Sequence, residues 1–374
     1  MSASSVKWVR LGDYIEPSDK RNSLLAYGLE YVRGISNAKQ IMNTKADVTC
    51  DVIHKFYIVA PGEFIYIPGT TRMGDKVGLG YNDTNESLLF SFNNIAFRIK
   101  ADNRSKILSG YLYLYFNRDE FDRYAIKHSW GSATELFTFD EMCNMLIPLP
   151  DIKVQQELVD TYNGLKALAE QNEALIEPLS KACEAFIVDC KTKYPEVELG
   201  EYIEELSDKN KDGYFSKVLG LSTQKEFREP NSRVNKDDLF NYKIVPYNCF
   251  AYVPTTDTWK VFACAINKGE PIVVSPIYCV FKITSNQILP DYLPIIYKRA
   301  EFDRYVRFNS WGSARENFNF SELCKVKIPL PPIDIQQSIV NLYNSLEEAK
   351  KIASEAREKL KTLCPALVQR AANS

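Results

Sequence analysis

The sequence predicts an α+β protein built from two similar mixed α/β domains in tandem, each followed by one long helix. Three observations carry this. Short segments recur in the same order about 185 residues apart along the 374 residues. The stretch ahead of each Pro-rich stop is broken into short β-branched and aromatic runs. Beyond each stop, an apolar seam recurs at helical spacing.

The duplication is the firmest of the three. Glu120-Phe-Asp-Arg-Tyr124 returns as Glu301-Phe-Asp-Arg-Tyr305, and Ser129-Trp-Gly-Ser-Ala133 as Ser310-Trp-Gly-Ser-Ala314. Across 120–137 and 301–318, 12 of 18 positions agree, far beyond chance. Leu11-Gly-Asp-Tyr14 answers Leu199-Gly-Glu-Tyr202, Phe64–Pro68 answers Phe250–Pro254, and Ile147-Pro-Leu-Pro150 answers Ile328-Pro-Leu-Pro331. Gln155-Gln156 answers Gln336-Gln337. The implied boundaries are residues 1–150 for the first domain, 151–190 for its helix, 191–332 for the second domain and 333–374 for the last helix.

Within each domain, runs such as Phe56–Val59 and Ile272–Val274 read as short strands between Gly- and Pro-rich turns. Pro148 and Pro150 stop the first domain, since proline donates no hydrogen bond and biases the residue before it away from helix. The first helical seam is Val154, Leu158, Tyr162, Leu165, Ala169, Asn172, Ile176, Leu179, Cys183 and Phe186. The second is Ile335, Ile339, Leu342, Leu346, Ala349, Ala353, Ala356, Leu360, Leu363 and Leu367. Steps of three and four suit heptad-like packing, and neither helix is stable alone in water, so the two are expected to pack together. Pro178 predicts a kink or break near Glu177.

Composition narrows the function. Hydrophobic residues are 45% and charged residues 25%, which is ordinary for globular domains. His54 and His128 are the only histidines, which leaves little room for His-rich metal sites. Nine cysteines, with no C-x-x-C pair, read as reduced thiols in a cytoplasmic protein. Lys7, Arg10 and Asp13 interrupt any leader-like apolar run, and Ile272–Phe281 is too short and too broken for a membrane span. The net charge of −2 argues at first against nucleic-acid binding through bulk charge. That total hides a distribution: residues 151–190 carry −5, while the domain segments 1–150 and 191–332 carry 0 and +2.

The order globular domain, Leu-Pro, long helix, given twice, resembles the specificity (S) subunits of type I restriction–modification systems. The residues carrying the resemblance are Leu11–Tyr14, Gly131–Ala133 leading to Ile147–Pro150, and Gln155-Gln156, with their partners in the second copy. It implies two target recognition domains, each reading one half of a bipartite site in double-stranded DNA. It further implies two long antiparallel coiled-coil helices that act as a ruler, with pseudo-two-fold symmetry. The subunit would be non-catalytic. It would dock methyltransferase (modification) subunits, two being expected, and motor-nuclease (restriction) subunits. It would bind no cofactor itself, S-adenosylmethionine and ATP with magnesium belonging to the partners.

The residues themselves agree. There is no G-x-x-x-x-G-K-[ST] loop and no Asn-Pro-Pro-Tyr. His128 faces Asn309 in the second copy, which does not suit a catalytic base. Asp122 and Asp303 read as ion pairs or caps with Arg123 or Arg304. Two segments per copy have chemistry suited to DNA. One holds Thr70, Thr71, Arg72 and Lys76, answered by Thr255, Thr256, Thr258 and Lys260. Arg72 could read guanine through two hydrogen bonds, while the hydroxyls and Lys76 hold phosphates. The other holds Lys127, His128, Ser132 and Thr134, answered by Arg307, Asn309, Ser313 and Arg315. Here Trp130-Gly-Ser132 and Trp311-Gly-Ser313 are expected to hold a shared turn, and the differing residues to carry different half-site preferences. Arg33–Lys39 and Leu219–Lys225 form a third, weaker pair. The alternatives are a specificity subunit of a type IIB-like enzyme, or a protein–protein scaffold without DNA contact.

Overall fold

A computed structural model describes residues 6–36, 38–69, 76–131, 135–230, 239–255, 261–311 and 316–373. The chain divides into two units: Met1–Gln171 with Ile352–Ser374, and Asn172–Lys351. Each unit therefore holds one globular domain and parts of both long helices.

The first domain is centred on a four-stranded antiparallel sheet in the order Ile15–Pro17, Ile95–Ile99, Phe64–Tyr66, Leu79–Tyr81. The strand Phe64–Tyr66 is fully buried, because alternate side chains leave a strand on opposite faces. Phe64 and Tyr66 enter the main core with Phe97 and Leu79, whereas Ile65 joins Val59, Leu88, Phe90 and Ala96 on the other face. Phe64 stacks on Phe97, its cross-strand partner, with ring centroids 5.0 Å apart.

Three helices cover the main core: α1 (Ser109–Phe116), α2 (Asp119–Lys127) and α3 (Phe139–Asn144). Thr138 caps α3 by accepting from the Glu141 amide. Gly12 lies so close to α3 that a Cβ there would stand 2.7 Å from that of Cys143. This is the physical content of the Leu-Gly-Asp-Tyr motif. A ribbon of Lys7–Arg10 against Leu146–Leu149 closes the domain. The long helix α4 (Ile152–Lys193) follows at once.

The second domain repeats these joints. Its sheet runs Ile203–Leu206, Cys279–Ile283, Phe250–Tyr252, Cys264–Ile266. Its helices are α5 (Tyr292–Tyr297), α6 (Ala300–Phe308) and α7 (Phe320–Cys324), and α8 (Ile333–Asn373) leaves it. Gly200 meets Cys324 at the same 2.7 Å. Tandem duplication and mixed α/β class are thus as the sequence predicts.

The Gln-Gln motif also acquires a role. The buried Gln155 donates to the carbonyls of Lys106 and Pro150 and accepts from the Leu108 amide, each at 2.9 Å. Gln336 does the same with Gln287, Pro331 and Leu289. Each glutamine fixes the direction in which a long helix departs from its domain.

The helical seams hold over most of their length. Leu158, Ala169 and Cys183 are buried on α4, as are Ile339, Leu346, Ala349, Ala353 and Ala356 on α8. In the first unit Leu158 shares a core with Val368 and Ala371; in the second, Ile187 and Cys190 share one with Ile339 and Val340. In each unit the start of one long helix thus shares a core with the end of the other. Two seam positions are corrected. Phe186 and Leu363 are exposed, and Ile187 and Val368 are buried instead. A helix of 3.6 residues per turn drifts away from a seven-residue repeat, so the buried face turns towards the globular domain at the ends. The break expected at Pro178 is absent: α4 runs through it. Pro178 and Ala174, whose carbonyl loses its partner, are both exposed, so water can take the lost bond.

Candidate nucleic-acid interface

Both DNA-suited segments of each domain rise from one small backbone ladder. Gly69 bridges Leu136, and Leu136 bridges Trp130. The Phe137 amide donates to the Pro68 carbonyl at 2.8 Å, and Leu136 and Trp130 exchange bonds of 3.0 and 3.2 Å. The foot of the first segment therefore lies beside both feet of the second. In the other unit Thr255 bridges Asn317, which bridges Trp311, and the Phe318 amide donates to the Pro254 carbonyl at 2.8 Å.

A second tie crosses from the helices. Asp122 of α2 accepts from the Val77 amide at 3.0 Å, just past the first segment. It also pairs at 2.8 Å with Lys39 Nζ, which donates to the Phe116 carbonyl at 2.6 Å. In the second unit Asp303 accepts from the Phe262 amide at 2.9 Å and pairs with Lys225, which donates to the Tyr297 carbonyl at 2.6 Å. This corrects the expected pairing with Arg123 or Arg304. The lysines come from the third, weaker pair of segments, and their backbones adopt the left-handed conformation, φ 58° and 64°. Burial draws both ammonium groups below the usual lysine range, against the pull of the carboxylates.

Among the residues singled out for DNA, Lys76 is exposed at the exit of its segment, beside Val77. Lys127 and Arg307 are exposed in the last turns of α2 and α6. Thr255 is half-buried in its ladder. His128 and Asn309 are half-buried at the ends of their helices. Each caps its helix, His128 Nδ1 lying 2.8 Å from the Tyr124 carbonyl and Asn309 Nδ2 donating to that of Tyr305 at 2.8 Å. His128 also stacks on the Tyr124 ring at 4.0 Å. Thr70, Thr71, Arg72, Ser132, Thr134, Thr256, Thr258, Lys260, Ser313 and Arg315 lie outside the described residues.

Sequence reasoning missed two features. Trp130 and Trp311 do stand in the turn through their backbones, but their rings are 68% and 70% exposed. Phe308, in the place of Lys127, is 81% exposed. The Ser-Trp-Gly-Ser-Ala run shared by both copies, between diverging flanks, was the available signal. Burial pushes the Cys279 thiol up to about 12 and Cys264 well above its ordinary value. Among the described residues no cluster of His, Cys, Asp or Glu could hold a metal ion, and no helix is long and apolar enough to cross a membrane.

Residues 260–362 match the family described as type I restriction modification DNA specificity domain. The matched segment takes in α5, α6 and α7 and most of α8, with Asp303 and Trp311. Over its length the chain is similar to the putative type I restriction enzyme MjaX specificity subunit of Methanocaldococcus jannaschii. The two are 21% identical over 366 residues, covering 87% of this chain and 83% of that protein. The type I restriction-modification S subunit of M. genitalium has the same fold, with TM-score 0.62 at 12% identity, covering 98% of both chains. The HsdS subunit of Thermoanaerobacter tengcongensis superposes less well, with TM-score 0.40 at 16% identity, over 100% of this chain and 97% of that one. The matched segment 260–362 and its counterpart in the first unit share the joints described above.

Proposed function

We propose that this chain is the non-catalytic DNA-recognition subunit of a type I restriction–modification complex. Each globular domain reads one half of a bipartite target in double-stranded DNA. One observation carries this reading: in each unit the two DNA-suited segments start from one shared ladder, with the same backbone bonds, while the side chains around them differ. A common scaffold with different reading residues is what an asymmetric target needs.

The near-neutral charge of the domain segments fits a subunit that supplies base contacts while its partners hold the DNA backbone. Two modification subunits and the restriction subunits are those partners. S-adenosylmethionine, and ATP with magnesium, act on them rather than on this chain. The test is to co-express the chain with its modification subunit and map methylated bases across a genome. Methylation confined to one bipartite motif is the expected result. Indiscriminate methylation, or an assembled complex with no sequence preference, overturns the reading and favours a scaffold without DNA contact.

A further inference from the structure

We propose that Lys39 and Lys225 are positioning residues, each fixing the foot of its own domain's DNA-reading segment through one carboxylate. Each then governs recognition of one half-site independently of the other. The inference rests on the DNA-reading role above and deepens it.

The geometry joins distant parts of the chain at one point. Lys39 lies in the turn between the paired strands Arg33–Ile35 and Ile41–Asn43, 83 residues from Asp122. Its ammonium meets the carbonyl that ends α1 and the carboxylate of α2, and stands 5.0 Å from the Phe121 ring centre. The same carboxylate takes the Val77 amide. Turn, helix pair and segment foot are therefore locked together by one lysine and one aspartate. Lys225, in the turn between Gly220–Leu221 and Phe227–Arg228, makes the same set with Tyr297, Asp303 and Phe262.

A purely stabilising role does not explain the choice of residues. Two buried charges lose much hydration, and a well-packed apolar pair of similar volume is often as stable or more so. What an apolar pair cannot do is hold the Val77 amide and the Phe116 carbonyl in a fixed direction, because dispersion contacts have none. The residues between the two ends of the turn differ, Ala38 against Gln224, yet the lysine and its aspartate recur. α2 and α6 also lead directly into the Trp130 and Trp311 ladders, so a shift of either carboxylate reaches both segments of its domain.

The test uses the full complex with its modification subunits. Lys39→Met, Lys225→Met and the double variant Lys39→Met/Asp122→Leu are compared on duplexes carrying single-base changes in either half-site. Lys39→Met is expected to lower discrimination at one half-site by roughly tenfold or more, the scale of a lost base contact. Discrimination at the other half-site should not change, and Lys225→Met should give the mirror result. The double variant removes the unpaired buried charge and should fold even where the single variant does not. It should still discriminate poorly at that half-site, because the Val77 amide has lost its acceptor. Unchanged discrimination in the assembled variants overturns the proposal, as does full recovery in the double variant, which would show the pair to be structural only. If the wild-type complex itself shows no bipartite preference, the DNA-reading role falls, and this proposal with it.

Discussion

The two globular domains agree where hydrogen bonds define them and differ where they do not. Gln155 and Gln336 make the same three bonds, Gly12 and Gly200 the same close approach, and Lys39 and Lys225 the same buried tie. Even the exchange of His128 for Asn309 keeps one bond to the carbonyl four residues back. Away from these joints the copies part. Lys127 stands where the other has Phe308, and Lys166 where it has Glu347. The cleft beside the tie is about 990 Å³ in the first unit, lined by Lys76, Arg118 and Lys361, and about 420 Å³ in the second, lined by Lys298 and Glu347. Duplication has kept the joints that orient backbone and released the surfaces around them.

The buried ties should break this equivalence most visibly. Lys39→Met leaves the Asp122 carboxylate, 6% exposed, without its cation, and should cost about 3–5 kcal/mol in denaturant unfolding. Asp303 is 22% exposed, so water can replace part of the lost partner and Lys225→Met should cost less. Equal losses would mean that the two ties are buried alike. Next come the glutamines. Gln155→Ala strands the Leu108 amide and should cost about 1–3 kcal/mol, with Gln336→Ala matching it. A clear inequality in their denaturation midpoints would show the helix departures to differ.

Gly12→Ala and Gly200→Ala force a Cβ to 2.7 Å from a cysteine Cβ, and each should cost about 1–3 kcal/mol of thermal stability through overpacking. The smallest effect on stability belongs to the exposed tryptophans. Trp130→Ala and Trp311→Ala should each change it by less than about 0.5 kcal/mol, as surface substitutions do. Both should nevertheless weaken DNA binding of the complex, and by equal factors on target and unrelated duplexes, because a contact shared by two different half-sites carries no sequence information. A loss confined to the target duplex would instead make these rings sequence readers.

The duplication, the class of the domains and most of both helical seams are written locally, in recurring words and in a helical period. They are legible for that reason. Asp122 shows why the rest is not. Its neighbour Arg123 is the nearest cation in sequence, but a helix sends adjacent residues to different faces. Only folding brings Lys39 across 83 residues to the buried side. The Val77 amide is a backbone group, with no residue type to announce it. His128 is similar: its ring reaches the Tyr124 carbonyl only because α2 ends beside it. The ends of the seams turned too, because the globular domain, absent from any periodicity count, supplies the packing there.

The sequence by itself determined that there are two copies, where each helix begins, and that no catalytic set is repeated. Those properties reside in order and spacing, which the chain carries unfolded. Tertiary structure alone decided which buried cation meets which carboxylate and that the two DNA-suited segments rise from one ladder. It also decided that the paired tryptophans face outward. Each of these depends on directional bonds between residues far apart in the chain, and such bonds exist only once the core has closed around them.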